Sequence, residues 1–164
     1  MKKLIFSALI LGSLGAFGAD VNGKSNAGPT QLDDLIRGEM SAVKSYDTLL
    51  KDIKDPAEKK KLQAIKKNHE NAVSKLKGFA TTDVLEDTET AGAWGTFAEA
   101  WTGGAKLMGN DTALKALRQG EEHGINEYEE ALDDDNIRPE LKQTIRTQFI
   151  PAQKEHIKSI KDMM

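Results

Sequence analysis

The sequence predicts an all-α fold, a bundle of four helices arranged as two antiparallel hairpins and joined by a long crossover that contains a short helix. Apolar residues recur with a period near 3.6 in four segments, as they do on the buried face of an amphipathic helix. A stretch of the first segment also recurs in the third. The repeat pairs Gly38, Glu39 and Tyr46 with Gly120, Glu121 and Tyr128.

Residues 1–19 predict a secretory signal peptide, because Lys2 and Lys3 precede an apolar run that ends in small residues. The run is too short to favour a transmembrane span, and a retained N-terminal anchor is the alternative. Residues 20–30 are rich in Gly, Asn and Ser and predict a disordered leader. We therefore expect the folded domain over residues 31–164, in the periplasm or outside a bacterial cell.

Composition excludes several classes of function. The chain has no cysteine, so it has no disulfide, thiolate metal site or cysteine nucleophile. Its net charge of −3 becomes −5 once Lys2 and Lys3 are removed, which argues against a nucleic-acid partner. We expect no membrane partner after cleavage of the signal peptide. A second copy of the chain (in a homo-oligomer) or an envelope protein is an alternative partner. The sequence shows no phosphate-binding glycine loop or serine elbow, so no catalytic residue is predicted.

Four polar residues lie inside the apolar stripes, one on each helix. A buried carboxylate is costly unless it is paired or coordinated, so this placement points to a shared core site. In the first hairpin, similar chain lengths separate Glu39 and His69 from the turn, which places both at one height. The candidate metal ligands are Glu39, His69, Glu121 and His156, with Glu122 as a possible substitute for its neighbour.

The helix boundaries follow from turn and capping residues. Asp55 and Pro56 open the second helix, and Gly78 stops it. In the second hairpin, His156 lies four residues further from the opening proline than His69 does in the first. This difference moves it about one helical turn unless a bulge near Pro151 absorbs it. The first two helices are expected over about residues 31–53 and 56–77. The third is expected to begin at a cap at residues 110–112, and the fourth near residue 139.

Residues 80–110 form the crossover, which is long for a connection without structure. Trp94, Phe97 and Trp101 recur at helical spacing there and predict a short helix along the bundle. Such aromatics more often pack in a core than bind a ligand. An interaction role for Trp94 and Trp101 is the alternative.

The first and third helices share a Glu-x6-Tyr spacing, and the second and fourth each carry a histidine. This pattern resembles that of rubrerythrins and other ferritin-like proteins. The segments LRQGEEHGINEYEEAL and QFIPAQKEHIKSIKDM look closer still to a bacterial family of ferritin-like bundles of unassigned function. The resemblance covers about residues 31–164. It implies a ferritin-like four-helix bundle with one crossover.

The resemblance also implies a di-iron site, which this sequence matches only in part. Glu39, His69, Glu121 and His156 fall on ligand positions of the family pattern. The two remaining carboxylates, three residues before each histidine, are replaced by Lys66 and Gln153. A rubrerythrin-like oxidase or peroxidase is therefore disfavoured.

Three functional hypotheses follow. The first is a reduced site for one ion of iron, zinc or manganese. The second is a metal-free bundle, in which the same Glu, His and Tyr side chains fix the helix register through buried hydrogen bonds. The third is an exported structural or interaction protein that works through its acidic surface and its crossover.

Overall fold

The computed structural model describes residues 31–80 and 110–164, and within these ranges it contains helices and no strand. The predicted signal peptide, the leader and the crossover helix with Trp94 and Trp101 lie outside the described residues. No helix in the described ranges is long and apolar enough to cross a membrane. The elements are α1 Gln31–Leu49, α2 Pro56–Lys77, α3 Asn110–Asp133, α4 Pro139–Thr144, a π-helical turn Ile145–Phe149, and α5 Ile150–Lys161. We call α4, the π turn and α5 together the fourth helix.

The first hairpin pairs α1 with α2 in antiparallel orientation. The side chain of Asp55 caps α2 by accepting hydrogen bonds from the backbone N–H groups of Ala57 and Glu58, at 2.8 and 2.9 Å. Helix α1 ends at Leu49, four residues before the predicted end. The chain tightens there, because Asp52 N–H bonds to the Leu49 carbonyl three residues back at 2.9 Å.

The second hairpin pairs α3 with the fourth helix. At the end of the π turn, the N–H of Ile150 donates to the carbonyl of Ile145, five residues back. The turn therefore contains one residue more than a turn of α-helix. Pro151 follows directly. Its ring has no N–H and would clash with the carbonyl of Thr147 in a regular α-helix, and the wide turn removes that conflict. A bulge near Pro151, one of the two alternatives that the sequence left open, is thus present just before this residue.

The two hairpins pack through α1 and α3, which completes the predicted all-α bundle. The apolar core is divided in two. One cluster includes Ile36, Leu76 and Ile145, and the other includes Leu62, Leu114 and Ile160. Between the clusters, near the middle of the bundle, lie the buried polar side chains. They are Glu39, Ser41, Ser45, His69, Glu121, Gln153 and His156.

The close approach of α3 to α5 depends on Gly124. A Cβ added there would lie 2.6 Å from the amide nitrogen and 3.1 Å from the amide oxygen of Gln153, a buried side chain. Glycine inside a helix normally costs about 1 kcal/mol relative to alanine. Here, a methyl group would displace Gln153 from its place in the core.

We therefore expect Gly124→Ala to bring no gain in the free energy of unfolding, measured by urea denaturation. With Gln153→Ala already present, the same change should stabilise the protein by about 1 kcal/mol, because the obstacle is gone and the helix propensity remains. An equal gain in both backgrounds would show that Gln153 does not occupy this space.

Candidate metal centre

The centre of the polar layer is His69, which lies between two carboxylates. Its Nδ1 is 2.7 Å from Glu39 Oε2, and its Nε2 is 2.9 Å from Glu121 Oε1. All three side chains are buried. A neutral imidazole carries one N–H, whereas both contacts face acceptors. The ring therefore carries two protons or gives one nitrogen to a cation.

Two buried tyrosines cross-link the hairpins through these carboxylates. Tyr46 of the first hairpin donates its hydroxyl proton to Glu121 Oε1 at 2.6 Å, and Tyr128 of the second donates to Glu39 Oε1 at 2.7 Å. Burial, reinforced by the neighbouring carboxylates, raises the pKa of both phenols well above their ordinary value. Both phenols therefore remain donors.

His156 reaches the same level as the other residues of the site, so the four-residue difference between the hairpins does not remove it. Its Nδ1 lies 3.1 Å from Glu121 Oε2, and its ring centroid lies 5.0 Å from that of His69. Its Nε2 is 3.1 Å from the amide nitrogen of Asn68. Because that amide N–H₂ is a donor, the contact fits a neutral ring protonated at Nδ1.

Each carboxylate accepts three hydrogen bonds from side chains, and here the internal repeat breaks down. Glu121 meets one tyrosine and two histidines. Glu39 meets one tyrosine, one histidine and, at 3.3 Å, the amide nitrogen of Gln153. Glu39 thus contacts the amide of Gln153 where Glu121 contacts a second imidazole, that of His156.

Burial and charge act in opposite directions on these pKa values. Burial alone lowers the pKa of His69, but Glu121 and Glu39 outweigh it and raise that pKa to about 10. Burial alone raises the pKa of Glu121, but His69 and His156 outweigh it and lower that pKa to about 2. Without an ion, the centre is a carboxylate–imidazolium–carboxylate arrangement.

One ligand atom each from His69, Glu121 and His156 lies within 4.8 Å of the others, which is close enough to share an ion. We call these three residues the triad. Two imidazoles with one carboxylate suit iron, zinc or manganese. Glu39 is not in the triad, and it contacts the other ring nitrogen of His69. Metal-binding histidines are commonly oriented by a carboxylate in this way.

The structure separates Glu122, the predicted substitute, and its neighbour His123 from the triad. Glu122 is 44% exposed and pairs with Arg118 at 3.2 Å. His123 lies 3.3 Å from Glu127 on the same helix. Sequence reasoning missed Asn68 as a partner of His156. The only feature of the sequence that could have indicated Asn68 is its position next to His69, and Asn68 lies on an exposed part of α2.

A di-iron centre does not fit these residues. The ammonium of Lys66 turns to the surface, where it pairs with Asp47 at 2.6 Å and Glu70 at 3.3 Å. Gln153 points into the core but supplies a neutral amide. The buried carboxylates of the described residues are two, whereas the di-iron pattern uses four. A single ion fits the donor set.

A family model described as a domain of unknown function, DUF2383, matches residues 29–134. The chain belongs to this family. The match spans α1, α2 and α3, so it includes Glu39, His69 and Glu121, whereas His156 and Gln153 lie beyond it. A search of curated proteins found no match, and a search of solved structures found none either.

The metal-free DUF2383 protein should lose stability as pH rises above neutrality. His69 has an ordinary pKa of 6.5 and a folded pKa of about 10, so between these values only the folded state keeps the proton. The free energy of unfolding should then fall by up to about 1.4 kcal/mol per pH unit. The opposite holds for Glu121, whose contribution is present above pH 4.5 and is lost as pH falls toward 2.

Urea denaturation from pH 6 to 10 with a chelator present measures this slope. His69→Gln should flatten it, and His123→Gln, which alters a histidine outside the polar layer, should leave it unchanged. An unaltered slope in His69→Gln would assign the pH dependence to other groups.

Proposed function

We propose that this DUF2383 protein is a ferritin-like bundle that binds one divalent transition-metal ion in its core, through His69, Glu121 and His156. Glu39 holds His69 in position from the far side of its ring. Iron, zinc and manganese are the candidate ions, because carboxylate and neutral imidazole are ligands that all three accept.

The observation that carries the proposal is the balance of buried charge. Glu39 and Glu121 bring two negative charges into the core, and His69 as an imidazolium offsets only one of them. A divalent ion with two neutral imidazoles offsets both. Because uncompensated buried charge is expensive, the donor set favours the ion over the proton.

The hydrogen bond between His69 and Glu39 supports the same assignment. When His69 Nε2 binds the ion, its Nδ1–H still donates to Glu39, as in the contact at 2.7 Å. If His156 Nδ1 held the ion, its Nε2 would carry the proton, and Asn68 would have to present its amide oxygen in place of the nitrogen that faces the ring in the structure. Tyr46 keeps its bond to Glu121. The bound ion supplies a Lewis acid in a buried polar layer.

The ferritin-like assignment rests on the arrangement of helices and site residues. Two antiparallel hairpins pack together, the odd helices each supply a glutamate, and the even helices each supply a histidine. The centre has half the carboxylates of a di-iron site. We therefore propose binding of one ion and no di-iron oxidation chemistry.

Metal binding is tested on the mature protein without a histidine tag. We expect close to one equivalent of iron, zinc or manganese by elemental analysis after reconstitution. Ion at 100 times its dissociation constant should add about 2.7 kcal/mol to the free energy of unfolding, seen as a raised melting temperature.

A glutamate and a histidine outside the triad provide matched controls. Glu121→Gln and His156→Gln should abolish both the bound ion and the thermal shift. Glu122→Gln and His123→Gln change the same residue types outside the triad and should leave both intact. Sub-stoichiometric metal in the natural protein, with no change in its melting temperature, would contradict the proposal.

A metal-free register network is the second candidate, and one observation favours it. The ring nitrogens of His69 and all four oxygens of the two carboxylates have partners without an ion. A satisfied polar layer between two apolar clusters fixes the height at which four helices meet.

The two candidates differ in what happens when the carboxylates lose their charge. If the network serves register alone, Glu39→Gln with Glu121→Gln should leave the melting temperature nearly unchanged or raise it, with and without added zinc. If the site binds metal, the double variant should lose a zinc-dependent stabilisation that the natural protein shows. Thermal melts of both proteins, with zinc or with a chelator, decide between them.

A further inference from the structure

Two small cavities lie between α1 and α3, and the internal repeat relates them. The first is lined by Tyr46, Gly120 and Glu121, and the second by their repeat partners Tyr128, Gly38 and Glu39. Each has a volume of about 10 Å³, which is the space of roughly one water molecule. Small residues on both helices keep this slot open.

The side chain of Gln153 lines both cavities. It is 4% exposed, and its amide nitrogen lies 3.3 Å from Glu39 Oε1. Its amide oxygen has no hydrogen-bond partner among the described residues. A buried acceptor in this state is destabilising, so a donor is expected to complete it.

Glu39 fixes the direction in which this oxygen points. A carboxylate accepts hydrogen bonds only, so the nitrogen of Gln153 must be the atom that faces Glu39. Gly124 leaves room for the amide group, since a Cβ there would lie 2.6 Å from the nitrogen and 3.1 Å from the oxygen. Glu39 lines the second cavity and not the first, so the oxygen lies on the side of the amide away from Glu39. The oxygen is therefore held as an acceptor.

We infer that Gln153 Oε1 and the first cavity form a binding site for one water-sized molecule that donates a hydrogen bond beside His69 and Glu121. Ser45 lines the same cavity and uses its hydroxyl proton on the Ser41 carbonyl at 3.0 Å, so its oxygen is a further acceptor. Water, with two O–H donors, matches this pair of acceptors and the volume.

The site gives the proposed metal centre its exogenous ligand, and in that role it rests on the proposed function. Three protein ligands leave coordination positions open on a transition-metal ion. The first cavity is lined by two members of the triad, His69 and Glu121. We expect Gln153 also to limit the size of what enters, because its side chain borders both cavities and each holds about one water molecule. Water is admitted, and larger anions such as azide are excluded.

The hydrogen-bond site is tested by crystal structures of the full mature chain near 1.5 Å resolution, metal-free and with zinc. We expect an ordered water within about 3 Å of Gln153 Oε1 in both. A dry cavity, or a protein donor on that oxygen, would overturn the inference. This measurement does not depend on whether zinc binds.

The size limit is tested with cobalt(II) as the bound ion and azide as the probe. Azide should leave the visible spectrum of the natural protein unchanged and should shift that of Gln153→Ala, in which the cavities are joined. Gln143→Ala, an exposed residue of α4, should behave as the natural protein does.

An equal azide shift in the natural protein and in Gln153→Ala would overturn the assigned role of Gln153. A protein that takes up no cobalt would instead count against the metal centre, and the metal-free crystal structure would then decide the water site by itself.

Discussion

The position of His69 between two buried carboxylates is the constraint on which the rest of the structure depends. Its two ring nitrogens join Glu39 of α1 to Glu121 of α3, while the ring belongs to α2. A neutral ring satisfies only one such contact, so a second proton or a cation is required. Because the ring of one helix bonds to carboxylates of two others, three helices are held at one height.

The fourth helix is shaped to join this layer. His156 and Gln153 lie three residues apart on α5 and both point inward, one to each carboxylate. The π turn just before them shifts α5 relative to α4, so that the apolar residues of α4 still face the core. A one-residue bulge next to a polar site is a recurrent use of π-helical geometry. Here, it also accommodates Pro151.

Much of the fold was predictable because it depends on local properties. The apolar period fixed four helices and their buried faces, and chain length from the turn placed Glu39 level with His69. The bonds of the site were less accessible. That Tyr46 bonds to Glu121 of the other hairpin depends on packing between hairpins, which periodicity does not describe. The number of residues between Pro139 and His156 indicated an irregularity in the fourth helix. The position of the π turn depended on backbone hydrogen bonds around Ile145.

The asymmetry between the two halves is what favours a site for one ion. Glu39 and Glu121 are equivalent in the repeat, yet only Glu121 faces two imidazoles. Strict repetition would turn His156 toward Glu39 as well, but its second nitrogen faces Asn68, and Gln153 bonds to Glu39 instead. In the proposed metal site, Glu121 is the ligand and Glu39 orients His69. Two glutamates that are equivalent in the sequence repeat thus have different surroundings in the fold, which is why we propose different roles for them.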